Sequence, residues 1–417
     1  MIPSLWSGLT TAASPALRWA LLRRARRGKE MIARLPERRG LASLPRPPGK
    51  LLWLHAASVG ETISLLPLLR ALSPDIHVLF TTGTVTSATL LAERLPALGL
   101  SGRVWHQFAP LDVAGWVRRF LDHWHPDAVA FVESEIWPNM IAQCRARGRP
   151  LWLLNARMSE RSLRGWQRAP KFARRLIGAF DRIWAQSDAD AARFHQLGAR
   201  RVESPGNLKF CADPLPADAA ALAALQTALA NRPVWLAAST HKGEEDIIAR
   251  VHARVAAEFP DLLTIIVPRH PGRGHEIATA VQAPQRSQNP QPPARGLWIA
   301  DTLGELGLFY RLVRIVFVGK SLGLPHAMGG QNPLEPARLG CAIAVGPGFA
   351  NFTEAVALLR KAGGLAVVAD EAALAGWVAA MLRDPGLPIA MGTAAQAALD
   401  QEQTLPARLA RILAASC

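Results

Sequence analysis

From Leu51 onward the chain alternates short apolar runs with stretches long enough to form a crossover helix, and this alternation constrains the fold more than any other feature. Runs at Leu51–Ala57, Ile76–Thr82, Ala128–Val132, Leu151–Asn155 and Arg182–Gln186 read as strands. Helical stretches between them are the signature of a parallel sheet. A Pro- and Ala-rich stretch, Ala212 to Pro233, interrupts the pattern, which resumes with Val234–Ser239, Leu262–Val267, Leu297–Ala300, Ile315–Gly319, Ala342–Gly346 and Leu365–Ala369. The expectation is an α/β chain of two Rossmann-like domains, 50–211 and 234–417, with 212–233 as linker and 1–49 as a separate basic segment. Such folds bind ligands at the carboxyl ends of their strands, so the expected site is a cleft in which the two domains face each other.

Charge is unevenly placed along this frame. The net charge is +16, and residues 1–50 hold eleven Lys or Arg against two acids, Glu30 and Glu37. Such a concentration suits an anionic surface, either nucleic acid or acidic lipid. The neighbouring residues favour lipid. No charge precedes Arg18, and Ile2, Leu5, Trp6, Leu9, Leu17, Trp19, Leu21 and Leu22 supply apolar bulk before Arg23, Arg24, Arg26 and Arg27. This order reads as an anchor on the cytoplasmic leaflet of a membrane, acting on location while the chemistry begins at His55. Pro3 and Pro15 dilute the segment as a spanning helix, and a secretory signal needs its charge before the apolar stretch. The other reading is a basic helix packed on the domain. Cysteines 144, 211, 341 and 417 are scattered without CxxC spacing, against a disulfide framework or zinc site and in favour of a reducing compartment.

Several strand ends carry more chemistry than a turn requires. His55 to Thr62 runs a strand into Ser58, Gly60 and Glu61 at the start of an amphipathic stretch. Glu61 is then either a general base, kept ionised by the helix N-terminus, or a helix-capping residue. The strand Ala128–Val132 meets Glu133-Ser134-Glu135-Ile136-Trp137-Pro138-Asn139. One of these carboxylates could serve substrate while the other holds the loop, with Asn155 to Ser159 as a brace. Lys209, in Gly206 to Phe210, reads as an anion contact or as a surface lysine.

In the second half Pro268 and Arg269 follow an apolar strand, and Arg269 offers a bidentate fork to phosphate. The turn of Leu303, Gly304 and Glu305 opens a helix and presents backbone N–H groups. Gly329-Gly330-Gln331-Asn332-Pro333-Leu334-Glu335 couples a glycine pair to an Asn-Pro turn and a carboxylate placed for ribose hydroxyls. These features read as a nucleotide-donor site.

Taken in order, the motifs resemble the 3-deoxy-D-manno-octulosonic acid (Kdo) transferases, an inverting, metal-independent family of the GT-B fold. The likeness runs from about residue 50 to 370 and is most specific at Glu-x-x-Trp-Pro and Gly-Gly-x-Asn-Pro-Leu-Glu. It implies that Glu61 accepts the proton and that Glu133 and Lys209 stabilise the transition state. It also implies that Pro268, Arg269, Leu303, Gly304, Glu305, Asn332, Pro333, Leu334 and Glu335 hold the CMP of a CMP-Kdo donor. The implied acceptor is a lipid A precursor, with no cofactor, no metal and no nucleic-acid partner. The sequence departs from the family pattern in three places: Cys211-Ala212-Asp213 after Phe210, extra residues over Leu322–Met328, and Gln331, which is given no role. A GT-B enzyme using a UDP-sugar and a lipid-linked acceptor, and a basic nucleic-acid-binding protein, are the rival readings.

Overall fold

The computed structural model describes residues 2–229, 232–323 and 329–415. The chain divides into two compact units, Met1–Ala212 with Glu402–Cys417, and Asp213–Gln401. The first unit holds seven strands: β1 (Lys50–Ala56), β2 (Ile76–Thr82), β3 (Val104–Phe108), β4 (Ala128–Val132), β5 (Leu151–Ala156), β6 (Arg182–Ala185) and β7 (Val202–Glu203). All pair in parallel, in the order β3-β2-β1-β4-β5-β6-β7.

Alternation of side chains across each strand builds a core on both faces of this sheet. Leu52, Leu54, Phe80 and Val132 meet Leu65 and Leu69 of the helix Val59–Ala71 on one face. Leu51, Trp53, Val129 and Phe131 meet Val117, Phe120 and Trp124 on the other. Trp53 lies 4.7 Å from Phe120 and edge-on to Phe131 at 5.2 Å, between ring centroids.

The second unit holds β8 (Val234–Thr240), β9 (Leu263–Pro268), β10 (Gly296–Ile299), β11 (Ile315–Val318), β12 (Ala342–Val345) and β13 (Leu365–Val367), in the order β10-β9-β8-β11-β12-β13. In each sheet the chain moves outward from one strand and then returns to that strand's other side. The strand pairs where this reversal happens are β1/β4 and β8/β11.

Three expected boundaries change. The stretch 212–233 is no simple linker: Ala219–Leu229 is a helix that buries Leu225 and Leu229 and belongs to the second unit. The second domain does not run to residue 417. The helix Leu405–Ala414 places Leu405, Leu409 and Leu413 on one stripe, and that stripe enters the first unit's core beside Leu65 and Leu208. Residues 1–49 are not an appendage. Leu21 packs with Val113 and Trp116, the Trp6 indole N–H donates to Asp112 Oδ2 at 2.9 Å, and Glu37 accepts the Phe108 backbone N–H at 2.7 Å. Leu5, Leu9, Trp19 and Leu22 of the same segment remain exposed. Among the described residues no helix is long and apolar enough to cross a membrane.

Candidate active site

Ser58 ends the β1 turn in extended backbone and caps the helix Val59–Ala71, its Oγ accepting the Glu61 N–H. Glu61 completes the reciprocal box: its carboxylate accepts the Ser58 hydroxyl and the Ala57 N–H, each at 2.7 Å. The capping alternative is therefore true of the geometry. It does not exhaust the residue, because two more carboxylates lie near it. Burial, the largest effect, pushes the Glu61 carboxyl above its ordinary value. The Ser58 hydroxyl opposes, Glu133 raises it further, the Ala57 N–H opposes, and Glu135 adds to the rise. Burial and like charge thus work against the helix N-terminus, which favours the ionised form of Glu61. Lone pairs remain on both oxygens beyond the two bonds they accept.

Glu133 follows β4 with φ +55°, a left-handed backbone unusual for a residue with a side chain. It is held there by its own N–H to Leu154 O at 2.9 Å and by the Arg157 N–H to its carbonyl at 3.3 Å. In this conformation its Oε1 meets Lys209 Nζ at 2.5 Å. Lys209 is placed by the end of β5. Asn155, also left-handed at φ +49°, accepts the Leu208 N–H on its Oδ1 at 2.9 Å and so fixes the short turn Leu208–Cys211. Gly206 precedes it at φ +122°, a backbone that residues with a side chain rarely adopt.

The second carboxylate of the β4 loop has different partners. Glu135 Oε2 accepts the Trp137 indole N–H at 2.5 Å and faces His55 Nε2 at 3.2 Å. Trp53 donates to Thr81 Oγ1 at 2.9 Å, and His55 Nδ1 lies 3.0 Å from that hydroxyl and 3.1 Å from the Thr81 carbonyl oxygen, which fixes the ring with Nε2 toward Glu135. Burial alone would raise Glu135; the His55 ring and the Trp137 N–H together hold it below its ordinary value. The structure thus brings Glu61, Glu133 and Lys209 together at the β1/β4 reversal, and adds Glu135 and His55. Sequence spacing had marked Glu135 and left His55 without a role.

In the second unit Pro268 closes β9 and Arg269 follows it, exposed, with its backbone N–H on Thr240 O at 3.0 Å. Asn332 caps the turn of Pro333: its Oδ1 accepts the Leu334 N–H at 3.1 Å and its amide reaches Glu335 Oε1 at 3.2 Å. Burial pushes the Glu335 carboxyl up, against the pull of Asn332, Arg338 and Arg269, so Arg269 and Glu335 share one neighbourhood. The helix expected here is a single short turn, Leu334–Arg338, containing Pro336. Its supply of open N–H groups is correspondingly smaller than the motif suggested, because Asn332 takes one and proline lacks one. Leu303 is 86% exposed beside Gly304. The Glu305 carboxylate is clamped by Arg286 through two bonds of 2.6 Å, leaving the backbone of this turn to act on a ligand.

Glu244 lies in a stretch, Ser239–Glu245, that matches the family pattern, but the sequence reading gave it no role. It accepts the backbone N–H groups of His241, Lys320, Ser321 and Leu322 at 2.9, 2.6, 2.8 and 3.1 Å. One buried carboxylate therefore ties the end of β8 to the end of β11. Of the divergent Leu322–Met328 loop, residues 324–328 lie outside the described residues.

Two such units define a class. The UDP-GlcNAc 2-epimerase of Neisseria meningitidis, solved bound to UDP-GlcNAc, is similar over 88% of this chain and 99% of its own at TM-score 0.56, with 15% identity, a likeness of fold alone. The architecture is that of the GT-B glycosyltransferases. Sequence supplies the rest. Residues 33–212 match the family described as 3-deoxy-D-manno-octulosonic-acid transferase (kdotransferase). The probable mitochondrial 3-deoxy-D-manno-octulosonic acid transferase of Arabidopsis thaliana is 35% identical over 381 residues, covering 87% of this chain and 83% of that one. The 3-deoxy-D-manno-octulosonic acid transferase of Bordetella pertussis is 33% identical over 393 residues, covering 91% and 90%. The chain belongs to the 3-deoxy-D-manno-octulosonic acid transferase family.

Glu61→Gln separates the two roles of that residue, because glutamine also completes a capping box. The variant is expected to fold and to bind CMP as wild type does, while transfer falls by about 10²–10⁴-fold, the scale of a lost general base. Wild-type turnover in the folded variant would leave Glu61 as a cap only.

Proposed function

We propose that this chain transfers Kdo from CMP-Kdo to a lipid A precursor, with inversion, at the cytoplasmic face of the inner membrane. The observation that carries the chemistry is the Glu61 carboxyl, raised by burial and by Glu133, beside the Glu133–Lys209 pair. Family membership supports Kdo as the transferred sugar. The acceptor hydroxyl oxygen attacks the anomeric carbon of Kdo as the bond from that carbon to the CMP phosphate oxygen breaks. Glu61 takes the hydroxyl proton, and CMP departs with the bonding pair. A carboxyl with raised affinity for protons is the stronger base once ionised. Lys209 supplies positive charge close to the reacting groups, and Glu133 fixes where that charge sits.

The second unit carries the donor in this reading. Arg269 forks onto the phosphate, the Leu303–Glu305 turn offers backbone groups, and Asn332, Pro333, Leu334 and Glu335 take the nucleoside. Arg269 and these backbone donors meet the charge on the leaving CMP, so the reading invokes no metal. Membrane docking falls to the N-terminal helices Ile2–Ala12 and Ser14–Arg26. Leu5, Leu9, Trp19 and Leu22 stay exposed among Arg18, Arg23, Arg26 and Arg27, which are exposed as well. Each such arginine is worth about 1 kcal/mol against anionic lipid. This face also departs from an earlier expectation: Trp6 and Leu21 belong to the folded unit, so the segment serves stability as well as location.

Incubation with CMP-Kdo and a lipid A precursor should yield an acceptor heavier by Kdo, read by mass spectrometry, with release of CMP. Transfer from a UDP-sugar instead, or no Kdo-bearing product, would refute the assignment. Replacing Leu9, Trp19 and Leu22 by serine should reduce co-sedimentation with anionic vesicles while circular dichroism stays unchanged. Raising salt should weaken wild-type binding without abolishing it. A folded triple variant that pellets as wild type does would place the membrane contact elsewhere.

A further inference from the structure

We propose that Trp137 is the platform on which the sugar ring of the acceptor rests beside Glu61, an inference that depends on the transferase reading above. Trp137 is 40% exposed, yet its one polar atom is spent inside the protein, on Glu135 Oε2 at 2.5 Å. What it offers to solvent is therefore apolar ring surface. That surface is also pinned. Glu135 is held in turn by His55 at 3.2 Å, and the backbone just beyond is fixed by Asp112, which accepts the N–H groups of Asn139 and Met140 at 3.1 and 2.9 Å. Pro138, which starts the following helix, restricts Trp137 to the extended conformation it adopts, φ −99° and ψ 113°.

The position gives this ring a use. It stands on the same loop as Glu133 and Glu135, and the charge of both carboxylates is felt at Glu61. A pyranose has an apolar face of C–H bonds and a rim of hydroxyls. A fixed aromatic face takes the first through area and dispersion. A small number of placed polar groups takes the second and sets orientation. An indole anchored by its edge, with carboxylates at its border, meets both requirements. It orients an acceptor hydroxyl toward the group that removes its proton. In this role Trp137 binds the acceptor, and Glu135 and His55 are positioning residues that act through it.

Two readouts separate this platform from a lipid contact or a structural plug. One is the acceptor KM in detergent. The other is the inhibition constant of a deacylated, water-soluble glucosamine disaccharide phosphate, which has sugar but no acyl chain. Trp137→Leu, which keeps apolar bulk but loses the flat face, should raise both by about tenfold. The CMP-Kdo KM should be unchanged, and Trp137→Phe should recover most of the loss. If both constants for Trp137→Leu match wild type, there is no platform. A raised KM with an unchanged inhibition constant assigns Trp137 to the acyl chains or membrane instead. Failure of the disaccharide to inhibit wild type also overturns the proposal, as does a folded Trp137→Phe that is as impaired as Trp137→Leu. If Trp137→Leu does not fold, Trp137→Met, which also lacks a flat face, decides: both constants raised by about tenfold support the platform, and wild-type constants overturn it. Wild-type enzyme inactive with CMP-Kdo would sink the transferase reading itself, whereas active enzyme indifferent to residue 137 sinks only the platform.

Discussion

Three carboxylates crowd the reversal between β1 and β4, and how each is compensated governs the rest of the first unit. Left alone, Glu61, Glu133 and Glu135 would repel one another in a partly buried place. The fold gives each a different partner. Lys209 meets Glu133, His55 and Trp137 meet Glu135, and Glu61 receives a hydroxyl and a backbone N–H. The uneven treatment separates their proton affinities, with Glu61 raised and Glu135 lowered. A pair of like groups pushed apart in this way is how a protein assigns one of them to proton transfer.

Backbone strain marks the same places. Among the described residues six other than glycine have positive φ, and four of them, Glu133, Asn155, Ser239 and Lys320, stand at or just past the carboxyl ends of β4, β5, β8 and β11. Each such conformation costs on the order of 1–3 kcal/mol and persists only where its surroundings enforce it. Here the enforcing bonds are visible: Leu154 and Arg157 around Glu133, the Leu208 N–H on Asn155, and the four N–H groups on Glu244. The strain aims Glu133 at Lys209 in the first unit and shapes the β8/β11 reversal in the second.

Much of this was legible in the chain because its strands are buried on both faces. Continuous apolar runs such as Ala128–Val132 and Leu151–Leu154 stand out against any helix, and the charged residues that follow them mark the strand ends. β3 was missed because His106 and Gln107 break its run. Inside the fold Gln107 accepts the Trp124 indole N–H at 2.8 Å and His106 meets Thr82 at 2.9 Å, partners that no local pattern reveals. The helix Leu405–Ala414 was expected in the second domain, because nothing local to Leu405, Leu409 and Leu413 says which core they enter. Glu135 and His55 belong together only because β1 and β4 are neighbours, a fact of topology that spacing does not carry. The turn at Asn332–Glu335 was recognisable by its residues, whereas the brevity of the helix after it was not.

The proposed chemistry rests on burial and, after it, the charge of Glu133 raising the proton affinity of Glu61, and on that ionisation governing transfer. The direct measurement is kcat/KM for the acceptor as a function of pH, in wild type and in Glu133→Gln. Transfer needs the ionised base, so the rate should climb with rising pH through an ionisation above the ordinary glutamate value. Removing the Glu133 charge and freeing Lys209 from it both favour ionised Glu61, so the climb should move to lower pH in Glu133→Gln, even if the maximal rate falls. A rate that is flat across this range, or a climb that stays in place when Glu133 is neutralised, would contradict the account.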